Sequence, residues 1–126
     1  MDSSSKKVLI VEDDNLLQVI LEKMLVKLGH TVLGKVSEGS KAIKSALKYD
    51  AVDLILMDIR LEDDIDGIEA MKQIREKSNV KVIFITGNSE PSNIKRAKET
   101  GYVDFISKPV SQGRLSEALS KAFPID

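Results

Sequence analysis

The 126-residue sequence contains no cysteine. Disulfide bonds, thiolate metal sites and cysteine nucleophiles are therefore excluded together. The sequence also lacks an excess of positive or negative charge, because it has 19 Lys and Arg residues and 20 Asp and Glu residues, for a formal net charge of −1. A nucleic-acid-binding face would show a basic excess or a basic stripe, so we expect no direct contact with nucleic acid.

Long apolar runs are absent as well. No run approaches the roughly 20 residues that a membrane-spanning helix needs. The polar start, MDSSSKK, is not followed by the apolar core of a signal peptide. We therefore expect a soluble, cytoplasmic protein without a membrane partner, and its length is that of one domain.

Short apolar segments alternate with longer segments whose apolar residues recur at helical spacing. We predict five strands, at residues 7–11, 30–36, 53–57, 80–86 and 103–107. We predict five helices, at residues 15–29, 37–50, 66–78, 89–101 and 111–123, with Ile20 and Leu47 among the side chains facing the core. This alternation is typical of an α/β fold, a doubly wound parallel sheet covered by helices on both faces.

Residues suited to ligand chemistry stand at or directly after the ends of four predicted strands. They are Glu12, Asp13 and Asp14 at the first, Asp58 at the third, Thr86 at the fourth, and Ser107 and Lys108, followed by Pro109, at the fifth, whereas the second strand offers only Val36, Ser37 and Glu38. Open parallel sheets bind ligands outside the carboxyl ends of their strands, where the strand order reverses. These side chains are therefore expected to share one site.

Several carboxylates in one pocket repel one another unless a cation is present or their pKa values rise. Mg²⁺ fits such a pocket, because it takes one or two carboxylates together with water and phosphate oxygens. Asp58 could then act as a nucleophile toward a phosphoryl group, while Thr86 and Lys108 contact the phosphoryl oxygens. A simpler interpretation stays open, in which the acids after the first strand only cap the next helix and Asp58 is an ordinary loop acid.

Four motifs occur in order along the chain: VLIVEDD, DLILMDIRL…DG, VIFITG and FISKP. Together they resemble the receiver domains of two-component response regulators, including the chemotaxis regulators, over nearly the whole chain. The resemblance implies a flavodoxin-like (βα)5 fold with strand order 2-1-3-4-5. It also implies a single receiver domain over residues 1–126, with its core at about residues 6–123 and no output domain.

The resemblance implies a role for each motif residue. Asp58 would be the phosphoacceptor, and Thr86 and Lys108 would act with it. Mg²⁺ would be held by Glu12, Asp13, Asp58 and the backbone carbonyl of Arg60. Thr86 and Phe105 would be the switch residues, and Arg60 and Asn88 would tune the lifetime of the phosphoryl group. Pro109 would follow a cis peptide bond.

The resemblance also implies the partners. A sensor histidine kinase or a phosphotransfer protein would donate the phosphoryl group, and a downstream protein would recognise the switched surface. The chain would be a monomer or a weak phosphorylation-dependent dimer. It would not be an enzyme, apart from its own phosphorylation and dephosphorylation.

The loop after Asp58 departs from the family pattern, because RLEDDIDG is longer than usual and has no proline. Its acids are Glu62, Asp63, Asp64 and Asp66. They are expected to form a solvated loop, with a second metal site as the alternative. We also expect Arg60 to screen the pocket from water.

Three other functions remain open at this point. An aspartate-nucleophile phosphatase of the haloacid-dehalogenase kind needs Asp-x-Asp after the first strand, where this chain has Glu12, Asp13 and Asp14. A flavin or nucleotide binder needs a phosphate-binding loop rich in glycine, serine or threonine there. A degenerate receiver would serve only as an interaction surface.

Overall fold

A computed structural model describes residues 5–49, 51–87 and 91–124 of the chain. The strands are β1 (Lys7–Val11), β2 (Thr31–Val36), β3 (Leu54–Asp58), β4 (Lys81–Thr86) and β5 (Asp104–Ser107). The helices are α1 (Asn15–Lys27), α2 (Gly39–Lys48), α3 (Gly67–Arg75), α4 (Pro91–Ala97) and α5 (Gln112–Ala122), and a 3₁₀ helix (Lys98–Thr100) follows α4.

The five strands form one parallel sheet in the order β2-β1-β3-β4-β5. The predicted fold and strand order are therefore confirmed. All five residues of β3 are buried, whereas no residue of the edge strand β2 is. This contrast follows from the sequence, since a continuous apolar run suits a strand that is covered on both faces.

Each face of the sheet has its own apolar core. Along β1, Leu9 and Val11 belong to one core, and Val8 and Ile10 belong to the other. Helices α2, α3 and α4 cover the first core, and helices α1 and α5 cover the second. Within the described residues, no helix has the length and apolar character of a membrane span.

Two side chains predicted to face the core are instead exposed. Ile20 is 38% exposed on α1, and Leu47 is 41% exposed on α2. The buried stripe of α1 is narrow, because its fully buried side chains are Leu21 and Leu25, one turn apart. Ile20 lies at the side of that stripe, so helical spacing alone overestimated the width of the buried face.

The helix predicted at residues 89–101 is shorter than expected. Residues 89 and 90 lie outside the described residues, α4 ends at Ala97, and the 3₁₀ helix completes the segment. Gly101 then adopts a left-handed conformation, with φ of 66°. Glycine adopts this conformation without a steric penalty, which explains why the segment ends there.

Helix α3 also ends earlier than predicted, at Arg75. The Arg75 guanidinium donates to the backbone carbonyls of Ser78 (3.1 Å), Val80 (2.6 Å) and Thr100 (3.0 Å). Two of these bonds satisfy carbonyls of the turn that leads into β4, and the third satisfies the carbonyl at the end of the 3₁₀ helix. The turn is therefore organised by a side chain that the apolar pattern does not reveal.

Candidate functional site

The carboxyl ends of β1, β3, β4 and β5 surround a cavity of about 500 Å³. Side chains from separate motifs line this cavity: Asp13, Asp58, Arg60, Thr86, Asn93 and Lys108. The cavity lies where the chain order of the strands reverses around β1 and β3, which is where this class of sheet binds ligands. The structure thus brings together the main residues that the sequence pointed to.

Asp58 is the last residue of β3 and is only 4% exposed. Its Oδ2 atom accepts a hydrogen bond from Lys108 Nζ at 2.9 Å. Its Oδ1 atom lies 3.4 Å from the backbone N–H of Arg60. Because β3 pairs with β1 on one side and β4 on the other, this carboxylate sits on a rigid support.

The start of α3 packs against the backbone of Asp58. A Cβ atom on Gly67 would lie 2.0 Å from the carbonyl oxygen of Asp58 and 2.8 Å from the side chain of Met57. The backbone N–H of Gly67 donates to the carbonyl of Ile59 at 2.7 Å. Glycine is therefore required here for close approach between the helix and the strand end.

Glu12 and Asp13 supply two further carboxylates. Glu12 is 1% exposed, and one oxygen from each of Glu12, Asp13 and Asp58 can be chosen such that all three lie within 4.8 Å of one another. The Glu12 backbone is held on both sides, by the carbonyl of Val36 (2.9 Å) and the side-chain amide of Gln18 (2.6 Å). The position of Glu12 is therefore fixed by contacts of its backbone.

The two oxygens of Glu12 differ in their surroundings. Oε2 accepts from the backbone N–H of Asp14 at 3.1 Å and from Lys108 Nζ at 3.4 Å. Oε1 is buried and lies 3.2 Å from Lys108 Nζ, which is within ion-pair distance. The angles there do not make a hydrogen bond, so Oε1 has no hydrogen-bond partner among the described residues.

Burial and the neighbouring charge of Asp58 raise the pKa of Glu12 from 4.5 to about 8. Burial alone would lower the pKa of Lys108, but its hydrogen bond to Asp58 and the charges of Asp58 and Glu12 outweigh burial and raise it. Three clustered acids and one lysine leave an excess of negative charge in the pocket. A divalent cation would offset that excess.

Helix capping is performed by Asp14, the third acid after β1. Its Oδ1 atom accepts from the backbone N–H groups of Leu16 (2.9 Å) and Leu17 (3.2 Å). Glu12 and Asp13 instead lie close to Asp58. The acids therefore divide between capping and the site, and helix capping does not account for all three.

Thr86 and Lys108 are held together at the ends of β4 and β5. Thr86 is 5% exposed and pairs with Ser107 in the sheet register. The backbone N–H of Lys108 donates to the carbonyl of Thr86 at 2.8 Å. The Lys108–Pro109 peptide bond is cis.

Three candidates remain: Phe105, Arg60 and Asn88. Phe105 is half-buried, with its ring centroid 5.8 Å from that of Phe84 and 5.6 Å from that of Tyr102. Arg60 is exposed at the rim of the cavity. Asn88 lies outside the described residues.

The acids of the loop after β3 are exposed (Glu62, Asp64) or half-exposed (Asp63, Asp66), and three of them also contact the rest of the protein. Glu62 accepts from the hydroxyl of Ser37 at 2.6 Å. Asp63 accepts from the backbone N–H groups of Gly39 (2.8 Å) and Ser40 (3.0 Å), at the start of α2. Burial alone would raise the pKa of Asp63, but the hydrogen bonds from these N–H groups together outweigh it and lower the pKa.

Asp66, at the end of this loop, binds two helices. It caps α3 by accepting from the backbone N–H of Glu69 at 2.8 Å, and it pairs with Arg96 of α4 at 2.9 Å. Within the described residues, the acids close enough together to hold a metal ion are those of the cavity and not those of the loop. The loop thus links α2, α3 and α4.

The sequence did not single out Asn93 or Arg96. Asn93 lines the cavity from α4, and Arg96 connects it to Asp66. Neither residue follows a strand directly, so the rule that located the other site residues does not apply to them. Their role depends on how α4 packs against α3.

Comparison with known proteins agrees with this arrangement. The family model for the response regulator receiver domain matches residues 8–120. The chemotaxis protein CheY of Thermotoga maritima is 33% identical over 92% of this chain and 96% of its own length. The transcriptional regulatory protein PdtaR of Mycobacterium tuberculosis is 30% identical over 93% of this chain but only 56% of its own length.

Solved structures of receiver domains are similar to this chain in both sequence and fold. The receiver domain of a modulated diguanylate cyclase from Desulfovibrio desulfuricans has a TM-score of 0.85 and 32% identity, covering 94% of this chain and 93% of that one. The receiver domain of a sensor histidine kinase from Pseudomonas aeruginosa has a TM-score of 0.81 and 32% identity, covering 93% and 96%. That structure has a magnesium ion coordinated in its active-site cleft. The chain therefore belongs to the response regulator receiver domains, the signalling modules of two-component systems.

Proposed function

We propose that Asp58 accepts a phosphoryl group from a sensor histidine kinase or a phosphotransfer protein. The observation that carries this proposal is the 2.9 Å contact between the nearly buried Asp58 carboxylate and Lys108 Nζ, beside two further acids. A carboxylate held rigidly at a strand end is a suitable nucleophile. A lysine in contact with it is placed to neutralise charge on the incoming group.

The residues of the pocket fit Mg²⁺. Three carboxylates offer oxygens close to one another, and the buried Oε1 of Glu12 lacks a hydrogen bond within the described residues. We assign the ion to Glu12, Asp13, Asp58 and the backbone carbonyl of Arg60. When bound, Mg²⁺ supplies positive charge that offsets the carboxylates and favours the approach of phosphoryl oxygens.

The transfer forms one bond and breaks one. A carboxylate oxygen of Asp58 bonds to phosphorus while the bond from phosphorus to the donor breaks, and that electron pair stays with the donor. Lys108 Nζ and the Thr86 hydroxyl contact phosphoryl oxygens. Catalysis here consists of positioning and charge neutralisation within a preformed site.

Phosphorylation would then change the surface that a downstream protein recognises. We assign the switch to Thr86, which turns toward the phosphoryl group, and to Phe105, which turns inward in response. The surface of α4, β5 and α5 changes as a result, because a local charge is coupled to an element with two arrangements. Arg60 and Asn88 control the access of water and hence the lifetime of the phosphorylated state.

Intact-mass measurement after incubation with acetyl phosphate and Mg²⁺ tests this function. We expect wild-type protein to gain one phosphoryl group per chain and Asp58→Asn to gain none. Asp64→Asn, which removes an exposed acid from the neighbouring loop, is the matched control and should be phosphorylated like wild type. Chelation of Mg²⁺ should prevent the reaction. A second arm uses a histidine kinase as the donor.

Other outcomes would favour other functions. Equal phosphorylation of wild type and Asp58→Asn would contradict the assignment of Asp58. Sustained hydrolysis of a small phosphate ester would favour an aspartate-nucleophile phosphatase. No modification by either donor would favour a degenerate receiver that acts only by binding.

The cellular setting also belongs to the proposal. The chain spans nearly all of the CheY relative and about half of PdtaR. We expect a cytoplasmic signalling protein that is a monomer or a weak dimer formed on phosphorylation. Light scattering with and without phosphorylation measures that equilibrium.

A further inference from the structure

Helix α4 brings a polar side chain to the phosphorylation cavity. Asn93 lines the cavity together with Asp58, Thr86 and Lys108, although it comes from a helix and not from a strand end. Asn93 is half-buried. Its side chain is therefore partly packed against the protein and partly accessible to a ligand.

Arg96 holds the side chain of Asn93. The Nη1 atom of Arg96 donates to Asn93 Oδ1 at 3.3 Å and pairs with Asp66 Oδ2 at 2.9 Å. The Nη2 atom of Arg96 donates to Asp66 Oδ1 at 3.2 Å, so the contact with Asp66 is bidentate. Bidentate contacts of this kind fix geometry as well as charge.

Asp66 is itself well anchored. It caps α3 through the backbone N–H of Glu69, and the next residue, Gly67, packs directly on the backbone of Asp58. A continuous set of contacts therefore leads from the phosphoacceptor strand through Asp66 and Arg96 to Asn93.

Apolar packing restrains α4 only weakly. The helix has seven residues, of which Ala97 is buried, whereas five residues of α3 are buried. An element with few buried apolar contacts is easily displaced. The polar link to Asp66 is therefore important for the position of Asn93.

We propose that Asn93 donates a hydrogen bond to an oxygen of the incoming phosphoryl donor, and that Arg96 and Asp66 are its positioning residues. Because Asn93 Oδ1 accepts from Arg96, the two donors on Nδ2 are the end of the amide available to a ligand. Phosphate oxygens are acceptors and so match that end. This inference rests on the proposed phosphorylation of Asp58.

The test follows the rate of Asp58 phosphorylation against the concentration of acetyl phosphate, at fixed Mg²⁺. Asn93→Ala is expected to raise the half-saturating concentration about three- to tenfold, the effect of losing one hydrogen bond to a ligand. The limiting rate constant should stay within about twofold, because the transfer machinery is intact. Where saturation is not reached, the initial slope should fall by the same factor.

Asp66→Asn separates positioning from a structural effect. Asparagine caps helices as well as aspartate does, so the start of α3 should be preserved while the charge pair with Arg96 is lost. We expect Asp66→Asn to raise the half-saturating concentration in the same direction as Asn93→Ala. The double variant should be no weaker than Asn93→Ala alone, because both changes act through the same amide.

Glu99→Gln is the matched control, since it removes an exposed ion pair between α3 and the 3₁₀ helix, away from the cavity. An unchanged half-saturating concentration in Asn93→Ala would overturn the inference, as would equal behaviour of Asp66→Asn and Glu99→Gln. Wild-type protein that accepts phosphate from a kinase but not from acetyl phosphate would also overturn it. Failure with both donors would instead overturn the proposed function.

Discussion

At the scale of single residues, Gly67 allows helix α3 to pack against Asp58 of the candidate site. Its missing side chain allows α3 to begin directly against the carbonyl of Asp58, the last residue of the buried strand β3. The same contact fixes the loop on which Asp66 lies. Asp58 is thus held from its backbone as well as by Lys108.

Replacing Gly67 with alanine is expected to lower the free energy of unfolding by about 2 kcal/mol or more, since the new Cβ would overlap backbone atoms that cannot move independently. Gly113→Ala is the control, because nothing lies within 4 Å of a Cβ at that exposed position of α5. There alanine should stabilise the protein by roughly 0.5 kcal/mol, as it restricts the unfolded chain. Urea denaturation measures both changes, and two variants of equal stability would contradict the close contact.

At the scale of elements, the loop after β3 organises the helices around the site. Its acids bind the start of α2, cap α3 and pair with α4, so one segment joins three helices on the same face of the sheet. The segment after β2 is held by the same loop, through the bond from Ser37 to Glu62. The length and acidity of the loop therefore have a structural explanation.

Asp63→Ala tests this organisation. The N-cap residue of α2, Glu38, makes no side-chain capping bond, so Asp63 is the side chain that accepts from Gly39 and Ser40. Its removal should lower the free energy of unfolding by about 1 kcal/mol, the usual effect of losing a helix cap. Amide hydrogen exchange should increase in the first turn of α2. Asp64→Ala, at an exposed position of the same loop, should change neither, and equal effects of the two variants would refute the assigned contact.

At the scale of the whole molecule, the strands and the site were largely predictable from the sequence because their signals are local. The apolar run of Leu54 to Met57 marks a buried strand, and parallel strands bring the residues after them to one edge. The contacts of Asp63, Asn93 and Arg96 could not be predicted in this way. They depend on the packing of α2 and α4 against other elements, which no periodicity in the sequence encodes.

Stability against acid is also a property of the whole fold, and it centres on Asp104 at the start of β5. Burial alone would raise the pKa of Asp104, but hydrogen bonds from Arg114, from the backbone N–H of Phe105 and from Lys121 outweigh it and lower the pKa from 3.8 to about 2. The side chain is only 12% exposed, so solvent screening is limited. The folded state therefore favours the ionised carboxylate.

Because this pKa is lower in the folded state than in the unfolded state, the stabilisation is complete above about pH 4 and is lost as the pH falls toward 2. It is on the order of 2 kcal/mol. Asp104→Asn should therefore be less stable than wild type by about that amount at neutral pH, with the difference shrinking toward zero near pH 2. Urea denaturation across this range measures it. Glu117→Gln, which removes a more exposed partner of Arg114, is the control and should show little pH dependence of its stability.

The contrary outcome is a loss of unfolding free energy in Asp104→Asn that is the same at pH 7 and near pH 2. It would show that the ionised form of Asp104 is not what stabilises the fold.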